Sequence, residues 1–216
     1  MSDLIIHGVP GSPYFRAAML GLEEKRLPYV KAFMPLGAHR SAEGLQRHPF
    51  GRIPVLDHGD FRLYETQAIL RYVDSLAPTQ TPLQPRDARA AARMNQIVGI
   101  VDCYVFPQIS VKISAERFMS QQFWGRATDE QAVANAVPNA RICVQELARL
   151  KGTAPFLTGD SVSIADLMLA PHIAFFRGTP EGQMLLKGSG LDEWIDRMSA
   201  RPSMQATERE RLMQAA

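Results

Sequence analysis

Short apolar runs in the first third of the chain give way to long helical stripes in the rest. Leu4-Ile5-Ile6, bounded by Gly8 and Pro10, reads as a buried strand. Ser12-Pro13 places a cap residue before a proline at the first helical position, and Ala17, Leu20 and Leu22 recur at roughly helical spacing up to Lys25. Tyr29 to Phe33 reads as a second strand, parallel to the first because a helix separates them. A polar loop and a short helix near Ser41 to Gln46 lead into a hairpin. In it Pro54 opens the strand Val55-Leu56, Asp57-His58-Gly59-Asp60 turns, and Phe61 to Tyr64 returns. A helix from Thr66 to about Leu76 follows.

This βαβ-α-ββα order predicts a thioredoxin-like α/β domain, a small mixed sheet with helices on both faces. Pro78, Pro82 and Pro85 then fall within eight residues and mark a linker. Beyond it the pattern is helical: Ala88 to about Phe118, Asp129 to Leu150, Ile164 to Phe176, and Leu191 to Ala200. Pro107 is expected to bend the first of these or end it early. Ser163-Ile164-Ala165-Asp166 has the spacing of a capping box and is assigned to folding, not catalysis. The expected organisation is therefore a first domain over 1–78, a linker over 79–86, and an all-α helical bundle over 87–216.

Composition narrows the class. Across 216 residues, 46% hydrophobic and 21% charged is the balance of an ordinary globular protein, and a net charge of +2 gives no reason to expect nucleic acid. Polar residues interrupt each apolar run near the N-terminus, so neither a secretory leader nor a membrane span is expected. Cys103 and Cys143 stand forty residues apart in helical-looking sequence. Two thiols so placed fit a reducing cytoplasm better than a disulfide framework. The five histidines show no metal-ligand spacing.

Two places carry candidate chemistry. Around Pro54, an edge of backbone is available to pair with an extended ligand. About a dozen residues on, Thr66 is expected to cap a helix whose N-terminus favours a carboxylate. A backbone-pairing edge plus a carboxylate seat suits a small peptide. An ordinary hairpin followed by a capped helix explains the same residues equally well. Ser12 is open to two readings as well. Its hydroxyl caps a helix, and with one proton to donate and two lone pairs it can also donate to a ligand sulfur.

Pro49-Phe50-Gly51-Arg52-Ile53-Pro54 followed by Tyr64-Glu65-Thr66-Gln67-Ala68-Ile69 resembles the glutathione-binding half of the glutathione transferase family. His7-Gly8-Val9-Pro10-Gly11-Ser12, Leu22-Glu23-Glu24-Lys25 and Leu36-Gly37-Ala38-His39-Arg40 agree with it. With the Ser163 to Asp166 run, the likeness covers nearly the whole chain. The succession is most similar to the phi-type, serine-using branch and its bacterial relatives. Phe15 departs from it, standing where that pattern often has a small polar residue.

The resemblance implies an enzyme with glutathione as co-substrate and no metal. Ser12 is then the catalytic residue, its hydroxyl bonded to the glutathione thiolate. His39 and Arg40 hold the glycyl carboxylate, and Arg52, where relatives often carry glutamine, is a further glutathione-binding residue. Ile53 pairs its backbone with the cysteinyl unit just before Pro54, and Glu65 and Thr66 take the γ-glutamyl end. The helical domain forms the pocket for an apolar electrophile, with Tyr14 and Tyr104 as lining residues. A cytoplasmic homodimer acting in detoxification, with hydroperoxide reduction as a side activity, completes the expectation. A specialised glutathione-dependent dehalogenase or isomerase, and a non-catalytic transferase-like binding module, are the alternatives. The intact set from Ser12 through Thr66 argues against the module, which has no need of a thiolate-stabilising hydroxyl.

Overall fold

Four strands in the order β2-β1-β3-β4 form the sheet of a computed structural model that describes residues 3–214. They are β1 Leu4–Gly8, β2 Tyr29–Phe33, β3 Val55–His58 and β4 Phe61–Tyr64. The pair β1 and β2 is parallel, joined by helix α1 (Pro13–Glu24), while β1–β3 and β3–β4 are antiparallel. A 3-10 turn at Ala38–Arg40 and helix α2 (Ala42–Arg47) precede the hairpin, and α3 (Thr66–Leu76) follows it. The expected βαβ-α-ββα order is what forms.

Alternation along β1 sends Leu4 and Ile6 into a core shared with Phe15, Met19 and Leu22 of α1, Leu56 of β3, and Ile69 and Val73 of α3. Gly8 ends β1 because nothing larger fits: a β-carbon there would stand 2.3 Å from the Phe15 ring. The Phe15 ring in turn meets Phe33 edge-on at 6.2 Å. The residue that departs from the family pattern is thus a fully buried core residue.

The chain divides into two compact units; the break between Gln84 and Pro85 falls inside the expected linker, while the far end of the helical half differs from the expected one. The first unit runs to Gln84 and resumes at Ala200, while the second is Pro85–Ser199. Much of the expected 79–86 linker is tied down. Buried Asp74 of α3 accepts from Lys25 Nζ at 2.9 Å, from the Leu83 amide at 2.9 Å and from Gln84 Nε2 at 3.1 Å, and Lys25 also donates to the Thr81 carbonyl. Burial works to raise the Asp74 carboxyl, but these donors hold it below the ordinary carboxylate range.

The last residues form α10 (Pro202–Ala206) and α11 (Arg209–Gln214), and Leu212 joins the first unit's core. Glu24 at the end of α1 takes two bonds from Arg201, at 2.8 and 2.6 Å, and one from Ser203. Near the start of α1, Arg16 donates to the Met204 carbonyl at 2.7 Å and to Thr207 Oγ1 at 3.3 Å. This segment therefore runs antiparallel to α1. Helical spacing alone had suggested that it continues the bundle.

In the second unit, one continuous helix spans Ala88–Trp124. It comprises α4 (Ala88–Ile100), a π-helical stretch Val101–Ala115 and α5 (Glu116–Trp124). Pro107 neither ends it nor confines it to Phe118. A π turn is wider than an α turn, which moves the carbonyl four residues back away from the proline ring and lets the helix continue. By length and hydropathy this helix is apolar enough to cross a membrane. Its Met94, Ile97, Val101, Val105, Ile109 and Ile113 are nevertheless buried in the unit's core.

Helices α6 (Glu130–Lys151), α7 (Ile164–Arg177) and α9 (Leu191–Ser199) lie where the spacing predicts, and α8 (Pro180–Leu186) is additional. From Ile164 to Ile173, α7 is buried at every residue. That includes His172, whose Nδ1 lies 2.7 Å from Ser110 Oγ. Burial holds the His172 ring far down, at about 3 against an ordinary 6.5. The unfolded chain takes up this proton as pH falls below about 6.5, and the folded chain does not. Stability present at neutral pH is therefore lost progressively as pH falls from there toward 3. His172→Gln is expected to flatten the acid limb of urea midpoints plotted against pH. An unchanged limb would assign the acid sensitivity to other groups.

Candidate functional site

Register decides which segments meet. His7 pairs with Val55, Val55 with Tyr64, and Gly8 with Phe33, so these residues lie at one end of the sheet. Leaving that end are the loop to Ser12, the Ile53-Pro54 entry to β3, the Glu65-Thr66 exit from β4, and the loop to His39 and Arg40. Strand pairing thus brings segments that the sequence spreads over more than fifty residues to one end of the sheet.

Ser12 is the N-cap of α1, and its hydroxyl oxygen accepts from the Phe15 amide at 3.4 Å. That is long for a capping bond. The cap role is real and weak, and it leaves the hydroxyl proton available to a ligand. No cysteine lies in this loop.

The Ile53-Pro54 bond is cis, and Pro54 is buried. Ile53 lies outside the β3–β4 ladder. Glu65 is one of two non-glycine residues with positive φ among those described, at 71°. Such a backbone costs on the order of 1–3 kcal/mol and persists where the surroundings hold it for a purpose. Here it turns the chain abruptly from β4 into α3. Glu65, not Thr66, is the N-cap position; no side chain caps α3, and Thr66 is its buried first residue. The expected Thr66 cap is corrected in this respect, because the left-handed turn at Glu65 starts the helix one residue earlier in the cap register. The uncapped N-terminus keeps its partial positive charge available to an anion.

His39, Arg40 and Arg52 form a basic group beside Gly51. Burial, then Arg40, then Arg52 push the His39 ring below its ordinary range, so it is neutral at pH 7 and the two arginines carry the charge. His39 Nδ1 is buried without a hydrogen-bond partner. A buried polar atom left this way costs free energy unless a ligand meets it.

His48 was not singled out by its sequence context. It is 2% exposed, its Nδ1 accepts from the Phe50 amide at 3.3 Å, and its ring lies 4.4 Å from that of Tyr64. The proton therefore sits on Nε2, which faces Glu65 Oε1 at 3.9 Å. Burial lowers the His48 ring and Glu65 pulls it back only in part. At 3.9 Å the two groups are close but not hydrogen-bonded, so Glu65 is left without a bond from His48. The only hint in the sequence is its place before Pro49, which favours extended backbone.

Tyr14 lies in the first turn of α1, partly buried and with a partner. Tyr104 lies on the π stretch of the second unit, 59% exposed, and is not among the residues that strand pairing gathers. Among the described residues, no group of three or more His, Cys, Asp or Glu side chains is placed to hold a metal.

Two family models match the chain. The one described as glutathione S-transferase, N-terminal domain, matches residues 6–82, and the one described as glutathione S-transferase, C-terminal domain, matches residues 130–197. Glutathione S-transferase F7 of Arabidopsis thaliana is 24% identical over 94% of this chain and 98% of its own length. A glutathione S-transferase of Hyoscyamus muticus is 28% identical over 92% of this chain and 94% of its own. Both are plant proteins, and the bacterial affinity expected from the motifs is not borne out by them. Among solved structures, glutathione S-transferase I bound with lactoylglutathione superposes with a TM-score of 0.83 at 23% identity, over 95% of this chain and 98% of that one.

Proposed function

Because this chain belongs to the glutathione S-transferase family, matched in both of that family's domains, we propose that the sheet edge seats glutathione and that Ser12 activates its thiol. The observation that carries this reading is the convergence of Ser12, Ile53-Pro54 and Glu65-Thr66 on one end of the sheet. Glutathione has a carboxylate at each end and an amine at one. Arg40 and Arg52, with the unpartnered His39 Nδ1, suit the glycyl carboxylate. Ile53 offers backbone to the cysteinyl unit. The uncapped start of α3 and the Thr66 hydroxyl suit the γ-glutamyl carboxylate, and Glu65 suits the amine. The relative seen with lactoylglutathione supports a ligand of this chemistry.

With the thiolate held by the Ser12 hydroxyl, the sulfur lone pair attacks the electrophilic carbon of an apolar substrate contacted by Tyr14; the C–S bond forms as the C–Cl bond of a chlorodinitrobenzene-type electrophile breaks, and chloride leaves to solvent. The thiol proton passes to solvent, and no protein base is needed once the thiol is ionised. Two free thiols, exposed Cys103 and buried Cys143, support a reducing compartment, the cytoplasm. Immobilised glutathione is expected to retain the protein, and a chlorodinitrobenzene-type electrophile to be conjugated. Retention without turnover would favour the binding-module alternative, and failure of both would overturn the reading.

We also propose a homodimer. Phe50 is 72% exposed beside the site, with Leu36 and Leu45 exposed nearby in sequence, an apolar group that a partner would cover. Light scattering at micromolar concentration is expected to give about twice the 24.0 kDa of one chain. A mass near one chain would refute it.

A further inference from the structure

The C-terminal segment laid along α1 ends at the Ser12 loop. Arg201 and Ser203 hold the far end of α1 through Glu24, Met204 and Thr207 hold its first turn through Arg16, and Arg209 comes next. At Arg209 the side chain lies against Gly11. A β-carbon on Gly11 would stand 3.3 Å from Arg209 Cδ and 3.6 Å from its Nε. Gly11 also has φ +93°, which disfavours any larger residue there. The glycine therefore serves two ends: it turns the loop, and it lets the arginine stem lie on the backbone one residue before Ser12.

We propose that Arg209 supplies positive charge to the ligand thiolate seated at Ser12, as an electrostatic residue delivered by the C-terminal segment. The inference rests on the proposed glutathione site and adds to it a group from the opposite end of the chain. Adjacent α-carbons are 3.8 Å apart, which puts the guanidinium within about 10 Å of the Ser12 hydroxyl. At that range, one charge in a partly aqueous setting shifts an ionisation by about half a pH unit.

Most neighbouring carboxylates are paired: Glu24 is held by Arg201, and Glu208 lies 4.0 Å from Arg211. Arg16, bonded to the neutral Met204 carbonyl and Thr207 hydroxyl, keeps its charge and adds a constant positive background that the Arg209 variants do not change. On the strands, Asp57 takes His7 at 3.0 Å and Arg62 at 2.7 Å. In the sequence Glu208, Glu210 and Arg211 flank Arg209 with a net charge of −1, so Arg209→Gln and Arg209→Glu leave the segment net negative.

The test is a titration of thiolate absorbance for glutathione bound to the full chain. Arg209→Gln is expected to raise the bound thiol pKa by about half a unit, Arg209→Glu by about one, and Arg209→Lys to restore most of the difference. Because Arg209 is exposed, the shifts are expected to shrink in ~0.5 M salt, and the variants to keep their urea midpoints. A merely structural role would move the midpoints and leave the thiol unchanged. If Ser12→Ala raises the bound pKa while Arg209→Glu does not, this inference fails and the site stands. If the unaltered chain binds no glutathione, both fall.

Discussion

Ser12→Ala is expected to slow glutathione conjugation by roughly ten- to 150-fold, with glutathione affinity nearly unchanged. The magnitude is that of one hydrogen bond to a charged acceptor, about 1.5–3 kcal/mol. An ordinary thiol with pKa near ~8.5 is mostly protonated at pH 7, and each pH unit of stabilisation corresponds to about 1.4 kcal/mol. One hydroxyl therefore decides whether much or little of the bound thiol is nucleophilic. The fold survives because the bond from the Phe15 amide to Ser12 is long, at 3.4 Å, and an N-cap is worth about 1 kcal/mol at most sites. Conjugation rate as a function of pH is the measurement: the variant should recover activity as pH rises above ~8. A variant whose rate stays depressed at high pH, or whose bound thiol pKa is unmoved, would make Ser12 a helix cap and nothing more.

Asp166→Ala is expected to remove about 3–5 kcal/mol of stability, a large share of what holds a chain of this size together. Asp166 is fully buried, and one oxygen takes the Leu157 amide and Trp194 Nε1, each at 2.9 Å. Its other oxygen takes the Ser163 amide at 2.9 Å and hydroxyl at 2.8 Å. Burial raises the carboxyl above its ordinary range, and these four donors oppose that shift without cancelling it. With the side chain gone, Trp194 Nε1 and two backbone amides lose their acceptor inside the core. Urea unfolding of the second unit measures the loss. Asp166→Asn keeps one acceptor and is expected to fall between the two; a change below about 1 kcal/mol in the alanine variant would mean that water replaces the carboxylate. The thiolate pKa is expected to be unaffected, which separates this effect from that of Ser12.

The elements that could be read from the residues are those built on local chemistry. Ser12-Pro13, Asp129 and Ser163 each start a helix where cap chemistry places it, and the alternation in Leu4-Ile5-Ile6 marks β1. Thr179-Pro180 carries the same cap-and-proline signal and starts α8, so that helix was legible and overlooked. What escaped depends on partners distant in sequence. Asp74 looks like a solvated helix residue until Lys25 and Leu83 are seen around it. His48 looks like loop chemistry until the Tyr64 ring and Glu65 close on it. The helical bundle expected through 216 places the residues after Ala200 with the wrong core, because helical character does not say which core receives a segment, and Leu212 goes to the first. Pro107 misled because the rule that proline ends a helix assumes α geometry, which the π stretch does not keep.

The return of the C-terminal segment to α1 has a consequence for how this chain is made. During synthesis, strands β1 to β4 and their helices emerge first, yet Leu212 of their core and both clamps on α1 are translated only after Pro85–Ser199. The first unit must wait, incomplete, while the whole of Pro85–Ser199 is added and folds. Contacts spanning 177 to 191 residues, such as Glu24 with Arg201 and Arg16 with Thr207, close very long loops and are correspondingly slow to form. Until they close, the groove on α1 stays open, and a ribosome-bound chain exposes it to chaperones that a finished chain does not meet there.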